Sequence, residues 1–288
     1  VRVLISGHRG FIGRHLHRAC EARSWHVTGI DLADGLDALD FFRTDRTRYQ
    51  LAIHCAATIG GRASIGGSPL AVGTNLALDS WFMRWLVASG TPRAVYYSSS
   101  AAYPVAWQGE NSGHRLHEDD INLDRPGRPD ATYGLAKLTG EQLVPYVEAE
   151  GCRVHVLRPM SGYGNDQALD YPFPSFIARA RRGDDPFEIW GTGRQVRDWV
   201  HIDDVIGATL AAVDQDVTGP TNIGTGRATS FNELADLVCK EAGYQPQLRH
   251  ILGAPDGVQY RVADPTKLLT YYRPTVTLEE GIRRALKD

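Results

Sequence analysis

Val1-Arg2-Val3-Leu4-Ile5-Ser6-Gly7-His8-Arg9-Gly10-Phe11-Ile12-Gly13 sets a short apolar run against a glycine-rich turn in GxxGxxG spacing, and Ile12, Leu16, Ala19 and Cys20 then recur at helical spacing. A strand that feeds such a turn and then a helix brings backbone N–H groups and the positive helix end toward a pyrophosphate, with no Cβ in the way. A glycine-rich turn alone serves bare turn geometry equally well; here an acid follows where a dinucleotide needs one. Asp31 ends the next apolar run, His26–Asp31, where a carboxylate accepts both ribose hydroxyls and repels a 2′-phosphate, so the pattern favours NAD over NADP. Gly7, Gly10, Phe11, Ile12, Gly13 and Asp31 are the first candidate cofactor contacts.

Outward from this turn the rhythm repeats. Leu51–His54, Ala94–Ser98 and Arg153–Arg158 are short and rich in β-branched or aromatic residues, as buried parallel strands are. Longer helical patterns separate them, Leu70–Ser89 closed by Gly90 and Tyr133–Glu150 closed by Gly151. The alternation predicts an α/β fold with a doubly wound, Rossmann-type parallel sheet. After Met160, Pro, Gly and aromatic residues cluster from Pro172 to Trp190 without a clean strand-then-helix repeat. We therefore expect residues 1–160 to form the cofactor lobe, with 200–214 returning to it, and residues 161–288 a smaller α/β substrate lobe.

Composition narrows the function. The 288 residues are 42% apolar and 23% charged with a net charge of −3, and Lys and Arg are dispersed, which argues against nucleic acid or an acidic membrane as partner. Cys20, Cys55, Cys152 and Cys239 lie far apart, so neither a metal site nor a disulfide framework is expected. Without a long apolar window the expectation is a cytoplasmic protein.

Two further cofactor contacts are expected from position: Asp37-Ala38 bordering the adenine, and Ala56-Ala57 closing the Leu51–His54 strand with residues small enough to let backbone approach. Tight packing explains Ala56 and Ala57 equally well, and His54 and Cys55 read as core. Tyr133-Gly134-Leu135-Ala136-Lys137 puts a phenol and an ammonium one helical turn apart on one face. A phenol with an unperturbed pKa of about 10 is a poor base near neutrality, but an ammonium and a positive nicotinamide both favour the phenolate. Tyr133 could then take a hydroxyl proton while Lys137 holds a ribose. The same spacing also suits an ordinary amphipathic helix with a half-buried Tyr and an exposed Lys. Ser98-Ser99-Ser100 shifts the balance, because it lies at the carboxyl end of a strand, where such sheets bind ligands.

Together Gly7 to Gly13, Asp31, His54 to Ala57, Asn75, Ser98 to Tyr103, Tyr133 with Lys137, Arg158 to Gly164 and Arg197 to Asp204 resemble the extended short-chain dehydrogenase/reductase superfamily, in its nucleotide-sugar epimerase and dehydratase branch. The resemblance implies NAD as cofactor, with Asn75 and Ser98 among its contacts, and a nucleotide-diphosphate sugar as substrate. It further implies that Tyr133 and either Ser99 or Ser100 contact the reacting hydroxyl, and that Arg197 and Arg261 reach the diphosphate. Ser161 stands where the family has an Asn on the substrate phosphates. The run from Ser98 to Tyr103 is one residue short: aligning on the strand selects Ser100, aligning on Tyr103 selects Ser99. The family also commonly pairs the Leu70–Ser89 and Tyr133–Glu150 helices in a homodimer, and the spread of Trp81, Phe82, Met83, Trp85 and Leu86 around the first helix fits that.

Gly-His-Arg-Gly, Gly60-Gly61 and Tyr103-Pro104 are similar to GDP-fucose synthase and GDP-mannose 3,5-epimerase. Those enzymes carry a Cys acid/base where this chain has Ala101, and 4,6-dehydratases carry an acid pair where it has Ala101-Ala102. A side chain with no titratable group moves no proton. The expectation is therefore 4-epimerisation through a transient 4-ketose; 4-ketoreduction, 3,5-epimerisation and 4,6-dehydration stand as alternatives, with a non-catalytic dinucleotide-binding protein as the outside reading. His54, Arg62 and Cys152 are the spare proton-transfer candidates.

Overall fold

Six parallel strands occupy the centre of the chain's computed structural model, which describes residues 1–59, 68–110, 112–254 and 257–287. β1 (Arg2–Ser6), β2 (His26–Ile30), β3 (Leu51–His54), β4 (Arg93–Tyr97) and β5 (Arg153–Pro159) arise where the apolar runs place them. β6 (Thr221–Ile223) completes the sheet in the order β6-β5-β4-β3-β1-β2. Successive side chains point to opposite faces. Val3, Ile5, Leu51, Ile53, Val95, Tyr97 and Leu157 enter one core, while Leu4, Ala52, Ala94, Tyr96, Val154 and Val156 enter the other. With both faces covered, the strands need no polar side, which is why they read as unbroken apolar runs.

α1 (Phe11–Ala22) covers the first face, and α2 (Ala38–Thr44), α3 (Pro69–Ser89) and α4 (Ala131–Ala149) cover the second. α3 starts on a proline, whose missing N–H costs nothing at a helix start, and ends at Gly90 in the left-handed conformation. Phe82, Met83, Trp85 and Leu86 are buried by this chain's own α2 and sheet, and Trp81 packs against the same core. The spread of aromatics around α3 thus reflects internal packing and lends no support to a dimer. Leu70, Leu76 and Val87 on α3, and Leu135 and Tyr146 on α4, remain exposed.

Beyond Met160 the regularity is greater than the sequence suggested. α5 (Pro172–Arg182) and a strand at Phe187–Trp190 fill the stretch that showed no clean repeat. They share a separate core with α7 (Phe231–Ala242) and α8 (Leu278–Lys287), built on Phe173, Phe176, Phe187, Trp199, Leu234 and Ile282. α6 (Ile202–Asp214) packs on the first face of the central sheet, and β6 joins that sheet beyond the 200–214 segment read from the sequence. Three residues of strand are too few to carry a readable period. Eight α-helices are present among the described residues, and none there is long and apolar enough to cross a membrane.

Strand order reverses between β1 and β3, which both lie in register beside one another up to the pair Ser6 and His54. The carboxyl ends of strands at such a reversal open a crevice. Gly7 leads from β1 into it and Cys55 from β3.

Candidate active site

The glycine-rich turn is shaped as a cradle. Gly7 has a φ of +72°, and a Cβ there would lie 2.5 Å from the Ala56 backbone nitrogen, so only glycine lets the turn touch the segment after β3. Gly10 caps α1 with no side chain over its first turn, leaving the N–H face of Phe11, Ile12 and Gly13 open in direction to an anion. Asp31 follows β2 directly; its Oδ2 accepts the Arg9 N–H at 2.9 Å and its Oδ1 the Ala33 N–H at 2.9 Å. Each oxygen keeps a second lone pair for a ribose hydroxyl. Ala56 and Ala57 are partly exposed along the crevice. This donor set and this Cβ-free turn fit a dinucleotide.

Three expected contacts are engaged otherwise. Asp37 caps α2, accepting the Leu39 N–H at 2.7 Å, with Ala38 buried behind it. The buried amide of Asn75 clamps Thr58 from both sides, accepting its N–H at 2.7 Å and donating to its carbonyl at 2.9 Å. Asn75 thus braces the segment after β3 rather than presenting its amide to the crevice. The Ser98 hydroxyl donates to Glu141, which also forms a buried ion pair with Arg158, so Ser98 offers the cofactor backbone only.

Tyr133 and Lys137 lie on α4, and the close packing of that helix on the turn Ser100–Ala102 sets where they point. A Cβ on Gly134 would fall 2.1 Å from the Ala101 carbonyl oxygen, so glycine alone permits the approach. There the Ser99 hydroxyl lies near enough to the Tyr133 phenol to favour its ionisation. Ser99 also caps the turn, accepting the Ala101 N–H at 3.1 Å, whereas Ser100 is buried within it. Burial and the charge of Asp79 push the Tyr133 phenol up to about 12, and the nearby Ser99 hydroxyl pulls the other way. The expected help from Lys137 is offset, because its ammonium is itself buried and bonded to both Asp79 carboxylate oxygens at 3.3 Å. The exposed-lysine alternative is thereby ruled out.

The spare proton-transfer candidates do not reach this point. His54 is fully buried between Ser6 and Asp79. Cys152 lies just before β5, at the amino edge of the sheet away from the crevice, with its thiol pushed up to about 12 by burial. Arg62, like Gly60 and Gly61, falls outside the described residues. Ala101 and Ala102 are buried and bring no titratable group.

Arg197 and Arg261 come from short strands 64 positions apart in number but paired in register, side by side. The Arg261 guanidinium donates to Gln108 Oε1 at 2.5 Å and to Asp130 Oδ2 at 2.9 Å. Arg197 lies over the Phe231 ring at 5.6 Å and bonds the Val196 carbonyl. Between them in sequence, the buried carboxylate of Asp198 accepts N–H groups from Thr225, Gly226 and Ala263, fixing the segment that follows Arg261. Ser161, half-buried, opens a strand whose backbone bonds the Asp198 carbonyl. Two residues escaped sequence reasoning. Asp79 reads as a solvated charge on an apolar helix yet is 1% exposed; Tyr171, just before α5, is close enough to Tyr133 for their charges to interact.

Residues 3–224 match the NAD dependent epimerase/dehydratase family. The chain belongs to it. Among curated relatives, GDP-mannose 3,5-epimerase 1 of Oryza sativa subsp. indica is 27% identical over 98% of this chain and 80% of its own length. The dTDP-4-dehydro-6-deoxy-D-allose reductase of Streptomyces bikiniensis is 29% identical over 92% and 89%. Among solved structures, UDP-glucuronic acid 4-epimerase from Bacillus cereus, in complex with UDP-glucuronic acid and NAD, superposes with a TM-score of 0.82 at 25% identity, covering 100% of this chain and 99% of that one. Membership makes this an NAD-dependent enzyme of nucleotide-sugar chemistry, and the Gly7–Gly13 turn with Asp31 supplies the fit for that cofactor.

Proposed function

We propose that this member of the family is a nucleotide-sugar 4-epimerase. One observation carries the reading: Tyr133 and Ser99 meet over a turn whose next residues, Ala101 and Ala102, supply no second proton-transfer group. Bound NAD would supply the hydride acceptor and donor for the sugar C4. The glycine turn and Asp31 hold its pyrophosphate and ribose, and Lys137 the second ribose. Tyr133 Oη takes the proton from the C4 hydroxyl and later returns it to the ketone oxygen, with the Ser99 hydroxyl bridging phenol and sugar oxygen. A positive nicotinamide favours the phenolate and so opposes the burial that holds it protonated. Arg197 and Arg261 present planar donors to the diphosphate, leaving the sugar free to show either face to C4 chemistry. The core around Phe173, Trp199 and Leu234 forms the lobe that receives nucleotide and sugar, and the exposed apolar residues of α3 and α4 pair two copies, which sedimentation equilibrium would register as twice the 31.7 kDa chain mass.

A second reading rests on Tyr171. A buried phenol in the neighbourhood of Tyr133 offers a second proton-transfer group, and epimerisation at C3 or C5 of a 4-ketose needs one. The deciding experiment incubates the purified protein with UDP-, GDP- and dTDP-hexoses in D2O and follows the sugar protons by NMR. A 4-epimerase inverts C4 without deuterium at C3 or C5; deuterium there establishes the second reading. Tyr133→Phe abolishes conversion in either case, and unchanged turnover in that variant overturns the mechanism.

A further inference from the structure

A run of buried polar groups lies beneath the crevice and leads away from the reacting pair. Ser6 ends β1 and is the register partner of His54, which ends β3. The Ser6 hydroxyl lies 2.6 Å from His54 Nδ1, and His54 Nε2 lies 3.0 Å from Asp79 Oδ1. Asp79, on α3, also accepts the Tyr96 hydroxyl of β4 at 2.6 Å and the Lys137 ammonium of α4. The same ammonium stands 5.0 Å over the Tyr96 ring. Four elements thus converge on one carboxylate. An ion taken this far from water is tolerated only when its lone pairs are met, and three donors meet them here.

We propose that Asp79 is the positioning residue for Lys137: its buried carboxylate fixes the ammonium one helical turn from Tyr133 and sets how much of that positive field reaches the phenol. This rests on the reading of Tyr133 and Lys137 given above. A lysine on a flexible four-carbon stem has no preferred place of its own. Asp79 gives it one, with the Tyr96 ring as floor. The Asp79 charge opposes ionisation of the phenol while the ammonium that it holds favours it, so Tyr133 would need the further positive charge that bound NAD would bring to act as a base. His54 completes the set as a neutral donor, since burial holds its imidazole below the ordinary histidine range. The groups facing this cluster are Tyr133, Lys137 and Glu141 from α4, Asp79 from α3, His54 and Cys55 from β3 and the residue after it, Tyr96 from β4, Ser99 from the turn that follows, and Tyr171 before α5.

The test is NAD binding by calorimetry from about pH 6 to about pH 10, a range that brackets phenol ionisation assisted by the nicotinamide. Affinity rises with pH as the bound state loses the Tyr133 proton. Asp79→Asn removes the charge at constant size, and the rise moves to lower pH by about half a unit or more. Tyr96→Phe removes one donor that tempers Asp79, and the rise moves to higher pH; this deletion of a single oxygen also decides the matter if Asp79→Asn does not fold. A purely structural role for Asp79 would weaken binding without displacing the pH at which it changes. Absence of displacement in both variants, or in Tyr96→Phe alone if Asp79→Asn is unfolded, or displacement of both in one direction, overturns the proposal. A rise that persists in Tyr133→Phe locates the titrating group elsewhere and overturns the reading of Tyr133 instead.

Discussion

Gly134→Ala adds one methyl group at the contact that brings Tyr133 to Ser99. The new Cβ would lie 2.1 Å from the Ala101 carbonyl oxygen and 2.8 Å from its carbon, both backbone atoms. Unbonded atoms of this kind rest roughly 3.5 Å apart, so α4 and the turn must separate by about 1 Å or more. The same carbonyl accepts the Asp130 N–H at 2.9 Å at the start of α4, and the shift strains that bond as well. In stability, overpacking costs about 1–3 kcal/mol, while alanine in place of glycine within a helix returns about 1 kcal/mol. The net loss of about 0–2 kcal/mol lowers Tm by at most roughly 8 °C in a chain of this size. The effect on rate is larger. Tyr133 adjoins Gly134 and Ser99 adjoins the turn, so the gap opens between the two groups that share the proton, and about 1 Å of misplacement costs on the order of 100-fold in kcat. Initial rates on the nucleotide sugar that is turned over, with a thermal melt and the NAD content of each preparation, measure all three effects. A kcat within about threefold of the parent protein would refute the view that this close approach sets the reacting geometry.

Ser99→Ala lowers kcat by about 100-fold, within the range of lost proton-transfer assistance, and Ser100→Ala by less than about tenfold; equal losses would undo the choice between them. Arg261→Ala removes a charge-assisted contact to the diphosphate and raises KM for the nucleotide sugar by roughly 10- to 150-fold with NAD affinity unchanged, so an unaltered KM sinks that role. Burial keeps His54 and His155 below the ordinary histidine value. The unfolded chain therefore binds more protons as pH falls below about 6.5, and stability is lost with acidification at up to about 1.4 kcal/mol per pH unit for each group. Urea unfolding at neutral and mildly acid pH checks this; a flat profile would contradict it.

The nucleotide half of the site was legible because its parts are contiguous: β1, the glycine turn and α1 follow one another, and Asp31 ends the next strand. Tyr133 and Lys137 were legible for the same reason, being one helical turn apart. What escaped depends on contacts across the chain. Asp79 is 58 positions from Lys137, and a lone acid on an apolar helix gives no sign that it is inside. The preference proposed for Ser99 over Ser100 rests on the turn Ser100–Ala102, which buries Ser100 and leaves Ser99 at its cap, and no spacing rule foretells that turn. Asn75 and Ser98 were read as cofactor contacts, yet their side chains hold Thr58 and Glu141, pairings that no spacing rule announces. The aromatics of α3 misled in the opposite sense, since α2 covers a face the periodicity left open.

The late return of Thr221–Ile223 to the central sheet bears on how the protein can be divided. β6 pairs with Leu157, Arg158 and Pro159 of β5, and α6 closes the core beneath. A fragment cut after residue 160 would keep every cofactor contact proposed above from the glycine turn to Lys137. It would also bare the backbone of β5 as a raw edge and strip Val205, Leu210 and Val213 from the apolar face. Unpaired edges of this kind recruit other chains. Such a fragment should therefore precipitate or pair promiscuously, and the half of the molecule that looks self-sufficient in the sequence depends for its solubility on residues more than 40 positions further along.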